Sequence, residues 1–230
     1  YGFSLLMEPV ERALNLSRAE SSLAFSLALL MEGLLAYPVG RWIDRGRERA
    51  VMVGGSLLMG LALAAHSLVQ TPLQFYAVWL TLGAGMSATL YPPAFAVLTR
   101  RYPQHFRRAI ITLTFLGGLA STVFIPLIAF LFRTLGWRES LWVLAGMQWL
   151  ICLPIHALML RHAPTAQHAQ AHTGDAPDLK QHLRSPTFVL LGTFMVLIMG
   201  VTSALPAHMV SLLRESGMAE SWAILVPASL

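Results

Sequence analysis

Gly40-Arg41-Trp42-Ile43-Asp44-Arg45-Gly46-Arg47-Glu48-Arg49 lies between two long apolar runs, Ser21 to Trp42 and Ala50 to Leu68. Each run approaches the ~20 helical residues needed to cross a ~30 Å hydrocarbon core. Arginines crowded between two such runs mark a short loop held on one side of a bilayer. The pattern recurs along the chain. Further apolar runs extend from Leu73 to Thr99, Ala109 to Phe132, Ser140 to Leu160 and Thr187 to Leu212. Two partial runs flank them, Tyr1 to Val10 and Trp222 to Leu230. The expected fold is therefore an all-α integral membrane protein, with span one partial, spans two to seven nearly complete, and the start of an eighth.

Composition supports this class and excludes others. Of the 230 residues 56% are hydrophobic and only 12% charged, and mean hydropathy is +0.61. Soluble domains average about a quarter charged residues, so the chain lacks a polar skin. The same figures exclude disorder. A disulfide scaffold is excluded by the lone Cys152. The opening apolar run has no basic region before it and no small-residue cleavage site, so it reads as a truncated first helix rather than a signal peptide.

The net charge of +5 raises the question of nucleic acid, and the position of the charges answers it. The loops after spans two, four and six hold eleven of the sixteen basic residues: Arg41, Arg45, Arg47, Arg49, Arg100, Arg101, Arg107, Arg108, Arg161, Lys180 and Arg184. The alternate loops hold the other five, Arg12, Arg18, Arg133, Arg138 and Arg214. This asymmetry puts the even-numbered loops in the cytoplasm, facing anionic lipid. Too few aromatics interleave with the arginines to stack bases. The expected partners are the lipid bilayer and a small-molecule substrate, with no nucleic acid and no cofactor. The expected location is the bacterial inner (cytoplasmic) membrane, as a multi-pass protein.

Three units follow: an N-terminal bundle over 1–160, a cytoplasmic linker over 161–185, and the start of a second bundle over 186–230. The linker's His162, His168, His172 and His182 fit no compact metal spacing. Ser17-Arg18-Ala19-Glu20 is a capping box that starts span two. Pro92-Pro93 and Pro126 are expected to bend spans four and five. Ala19-Glu20-Ser21 recurs 200 residues later as Ala219-Glu220-Ser221, as it would if a six-span unit were followed by a second in the same orientation.

The loop quoted first resembles the signature of the major facilitator superfamily of secondary transporters: a glycine, three residues, Asp-Arg, then glycine and basic residues. It departs from the usual form in that Gly46 directly follows Arg45. Gly83-Ala84-Gly85-Met86-Ser87, Tyr91-Pro92-Pro93, Arg100-Arg101-Tyr102, Arg107-Arg108-Ala109, Gly117-Gly118 and Gly136-Trp137-Arg138 are similar to the monocarboxylate and oxalate:formate antiporter group of that superfamily. The resemblance implies a superfamily-type helical bundle: the N-terminal six-helix half, helix seven and the start of helix eight. It also implies that Gly40, Asp44, Arg45, Gly46 and Arg47 form a cytoplasmic gate, and that spans one, four and seven line a central cavity. Ser4, Met86, Ser87, Tyr91, Thr202 and Ser203 are then the cavity candidates, together with Tyr1. In span four, many members have an arginine where this chain has Trp79.

Glu32 is the one acidic residue near the middle of a complete span, where a carboxylate must be neutral, paired or hydrated. It is the candidate for proton coupling. His66, His156 and His208 lie near span ends and read as interfacial. Two transport activities are open: alternating-access carriage of a small organic anion such as a monocarboxylate, by proton symport or by exchange, and efflux of hydrophobic drugs or metabolites. A seven-span receptor or sensor is a third alternative. No zincin motif, nucleophile elbow or pair of mid-membrane carboxylates points to an enzyme.

Overall fold

A computed structural model describes residues 2–161 continuously and, beyond them, scattered positions between 185 and 217. Most of the linker, span seven and the eighth apolar run lie outside the described residues. So do Tyr1, Ser203, His208 and the second Ala-Glu-Ser.

The described chain is helical throughout. It comprises α1 (Gly2–Leu14), α2 (Arg18–Trp42), α3 (Glu48–Ser67), α4 (Pro72–Thr89), α5 (Tyr91–Arg101), α6 (Phe106–Leu135), α7 (Trp137–Met147) and α8 (Leu153–Met159). Two five-residue segments with wider π-type hydrogen bonding, Ile43–Arg47 and Gln148–Cys152, join α2 to α3 and α7 to α8. Among the described residues, three stretches are long and apolar enough to cross a membrane by length and composition: Arg18–Ser67, Phe106–Leu135 and Trp137–Met159. The first is two spans, because Gly46 breaks it at φ +77°.

Helix starts and stops follow local chemistry. The Ser17 side chain accepts from the Glu20 amide, and Glu20 accepts from the Ser17 amide at 2.8 Å, which completes the capping box. Thr71 caps α4, with Pro72 at its first position, where a missing N–H costs nothing. Span four is two helices rather than one bent helix. Pro92 and Pro93 have no amide to close the turn across Leu90, whose backbone is extended at φ −81°, ψ −165°. Pro126, by contrast, sits inside an uninterrupted α6.

Packing relies on small residues, as expected where lipid gives helices no hydrophobic reason to associate. Helix α2 runs along α4, and α3 runs along α4, α7 and α8. Ala24 and Ala28 are fully buried on the α2 side. A Cβ added to Gly83 would fall 2.2 Å from the Ala28 carbonyl oxygen. A Cβ on Gly55 would fall 2.6 Å from the Ala88 Cβ, and one on Gly60 would fall 2.1 Å from the Trp149 Nε1. At the end opposite the arginine-rich loops, an aromatic cluster fills the core. Phe3 and Phe25 stack at 4.5 Å, and Trp79 meets them edge-on at 5.0 and 5.9 Å.

Candidate functional site

At the arginine-rich end the structure separates two kinds of residue. Asp44, Arg45 and Arg47 are exposed, and none makes a hydrogen bond or ion pair among the described residues. A Cβ on Gly40 would meet nothing within 4 Å, so this glycine serves no close approach among the described residues. Gly46 makes the turn itself, in the left-handed region that costs other L-residues roughly 1–2 kcal/mol. Its displacement by one residue from the usual pattern places the glycine where the chain reverses. A Cβ there would approach only the Arg100 guanidinium, at 3.9 Å, so the penalty is one of backbone alone. Gly46→Val is therefore expected to lower stability by about 1–2 kcal/mol, while Gly46→Asn, which tolerates this region, loses much less. Thermal unfolding midpoints of the purified variants check the order.

The buried part of this end was not foreseen from sequence. Glu48 is 0% exposed, and Arg101 donates to its Oε1 twice, from Nε at 2.9 Å and Nη2 at 2.8 Å. The remaining nitrogen, Nη1, donates to the Met159 carbonyl at 2.8 Å. Arg100 donates to the Ile43 carbonyl. One arginine pair at the end of span four thus fastens the loop after span two, the start of span three and the end of span six. The Glu48 Oε2 is buried with no partner among the described residues.

At the opposite end Arg138 does comparable work. Its guanidinium lies 4.3 Å from the Trp137 ring centroid and donates to the carbonyls of Ser67 and Val69, at 2.5 and 2.9 Å. The turn between spans three and four is thereby tied to the start of span six, just after Gly136 has reversed the chain at φ +87°. His66, read as interfacial, is in fact fully buried beneath this clamp. Phe75, Trp79 and Trp137 surround it at 5.6, 5.8 and 6.4 Å, and neither ring nitrogen has a partner among the described residues. Trp79, 6% exposed, is one wall of this apolar nest. His156 is also internal, with Nδ1 2.7 Å from the Ser56 hydroxyl across spans three and six.

The cavity candidates occupy different environments. Ser87 is buried, and its hydroxyl donates to the Ala84 carbonyl at 2.8 Å. Ser4 is buried against the aromatic end, Met86 is half-buried, and Thr202 is exposed, with its hydroxyl on the Ile198 carbonyl at 2.7 Å. Tyr91 stands apart. It begins α5 at the break in span four, is 42% exposed, and its hydroxyl makes no hydrogen bond among the described residues. Ten residues at ~1.5 Å per residue separate it from Arg101, a depth of ~15 Å in a ~30 Å core. Glu32 lies half-buried in α2, likewise without a hydrogen bond among the described residues.

Long apolar helices joined by short turns, with arginines gathered at one end and polar groups left at mid-depth, define a multi-pass membrane protein of the helical-bundle class. The sequence matches the Major Facilitator Superfamily over residues 1–230, and the chain belongs to that family, one of transporters and not of enzymes. It is similar to an uncharacterized MFS-type transporter, YcxA, of Bacillus subtilis (strain 168), with 22% identity over 220 residues. The match covers 93% of this chain and 53% of the relative, so the chain spans about half the length of that protein.

Proposed function

We propose that the chain supplies the N-terminal bundle (1–160), the linker (161–185) and the opening of the second bundle (186–230) of a secondary transporter that works by alternating access. Its substrate is a small organic anion such as a monocarboxylate, carried with a proton or by exchange. The observation that carries this reading is Tyr91: a half-exposed phenol at mid-membrane depth, on the broken span, with a hydroxyl free to donate to a carboxylate. Broken helices at the midplane are where transporters of this architecture bind substrate. In this reading Asp44 and Arg45, exposed at the arginine-rich end, belong to a cytoplasmic gate against the other half of the protein; their exposure supports it. Efflux of hydrophobic compounds is the second reading, favoured by the scarcity of charge within the apolar spans.

Proteoliposomes of the full-length protein decide between them. Uptake of [14C]lactate or [14C]oxalate, driven by a pH gradient or by exchange, supports the anion reading. Saturable movement of a lipophilic cation dye with no anion uptake overturns it. Glu32 makes a separate prediction. If it carries the coupled proton, Glu32→Gln removes the pH dependence of lactate uptake while exchange continues. An unaltered pH profile in that variant would assign Glu32 to packing.

A further inference from the structure

At the break in span four, Tyr91 meets span five at Gly117. A Cβ built on Gly117 would lie 2.2 Å from the Tyr91 hydroxyl oxygen, 2.9 Å from Cζ and 3.1 Å from Cε1. The tip of the phenol therefore rests on the bare backbone of α6. Gly118, the next residue, differs: a Cβ there would meet nothing within 4 Å. Successive helical residues point ~100° apart, so one glycine of the pair faces the tyrosine and the other faces away.

The depths agree as well. Gly117 lies eleven residues from Phe106, at the arginine-rich end of α6, which places it ~16 Å in, level with Tyr91. On the other side the ring leans on Phe95, at 5.4 Å between centroids. The ring is thus held between an aromatic of its own helix and a gap in the neighbouring one.

We infer that Gly117 is a positioning residue. Its missing side chain seats the Tyr91 hydroxyl against span five, and so fixes where that hydroxyl and the ring edge stand on the cavity wall. The consequence for substrate rests on the assignment of Tyr91 to the cavity; the seating itself is geometry. What a Cβ on Gly117 would strike is the far end of a side chain that can turn about χ1 and is 42% exposed. An alanine here therefore moves the tyrosine rather than parting the helices, and stability changes little.

Two measurements on the full-length protein test this. With 3-fluorotyrosine incorporated, the 19F resonance that vanishes in Tyr91→Phe reports on Tyr91. Gly117→Ala is expected to shift that resonance and leave the others in place, and Gly118→Ala is expected to leave all of them. In proteoliposomes supplied with [14C]lactate, Gly117→Ala is expected to raise KM about tenfold with the limiting rate kept within about twofold, the mark of lost binding rather than lost turnover. Adding Gly117→Ala to Tyr91→Phe should cost clearly less than adding it to the unsubstituted protein, since the 2.2 Å collision is gone and only the milder 2.9 and 3.1 Å approaches to Cζ and Cε1 remain. An unmoved Tyr91 resonance in Gly117→Ala overturns the inference, as does a Gly117→Ala penalty that is the same with and without the hydroxyl. Failure of the unsubstituted protein to transport lactate counts against the proposed function instead, and the fluorine spectra still decide the seating.

Discussion

Arg101→Ala is expected to be among the most damaging single changes in the chain. Removing the guanidinium leaves Glu48, which is 0% exposed, with no donor on Oε1 as well as none on Oε2. Breaking a buried ion pair from one side costs about 3–5 kcal/mol, because the surviving charge stays in a medium that cannot solvate it. The Met159 carbonyl loses its donor too, so span six is released at the same moment. For a chain of this size such a loss corresponds to roughly 10 °C in the unfolding midpoint.

The cause is separable by a second pair of variants. Glu48→Gln keeps an acceptor for Arg101 and removes the buried charge, so its cost should be well below that of Arg101→Ala. Replacing both partners, Glu48→Met with Arg101→Met, should recover most of the loss, because burial without charge needs no partner. Thermal unfolding followed by size-exclusion chromatography of detergent-solubilised protein reads all three. Equal losses for Arg101→Ala and the double variant would show that the carbonyl contact to span six, and not the ion pair, carries the stability.

That ion pair also marks the limit of what the sequence disclosed. Span positions were legible because hydropathy over ~20 residues is a strong signal. Most helix starts lie two or three residues further out, because a helix continues into polar sequence until something stops it, whereas α2, α3 and α8 end within a residue of the apolar runs. The apolar run of span one ends at Val10, but α1 runs on to Leu14, where Asn15 takes φ +51°. The Gly40–Arg49 stretch is legible as the connection between spans two and three and Gly46 as its unusual feature, but not as the loop expected: the backbone stays helical on both sides and breaks only at Gly46. Glu48 is not legible, since a glutamate among arginines reads as part of a charged loop, and its partner lies 53 residues away. Arg101 in turn read as a topogenic charge. The burial of His66 is hidden for a related reason: nearness to a span end suggests water, yet Phe75, Trp79 and Trp137 come from two other helices to cover it. Long-range closure of this kind leaves no periodic trace along the chain.

Gly83→Ala is expected to rival the loss of the ion pair, through packing alone. The added methyl would lie 2.2 Å from the Ala28 carbonyl oxygen and 2.9 Å from the Ala28 Cα and carbonyl carbon. No rotamer change relieves a collision with backbone, so α2 and α4 must separate along their whole seam, where Ala24 and Ala28 are fully buried. Overpacking usually costs about 1–3 kcal/mol, and the upper end or beyond is expected where only a helix can yield. Two other glycines calibrate the effect. Gly85→Ala meets the Met59 side chain, which can bend away, and Gly54→Ala meets nothing within 4 Å. Unfolding midpoints should therefore fall in the order Gly54, Gly85, Gly83, with the first near the unsubstituted protein. The decisive variant is Gly83→Ala combined with Ala28→Gly. Shrinking Ala28 removes a methyl that is not among the atoms in the way, so no rescue is expected. Recovery of stability in that double variant would mean that side chains, not backbones, set the distance between spans two and four.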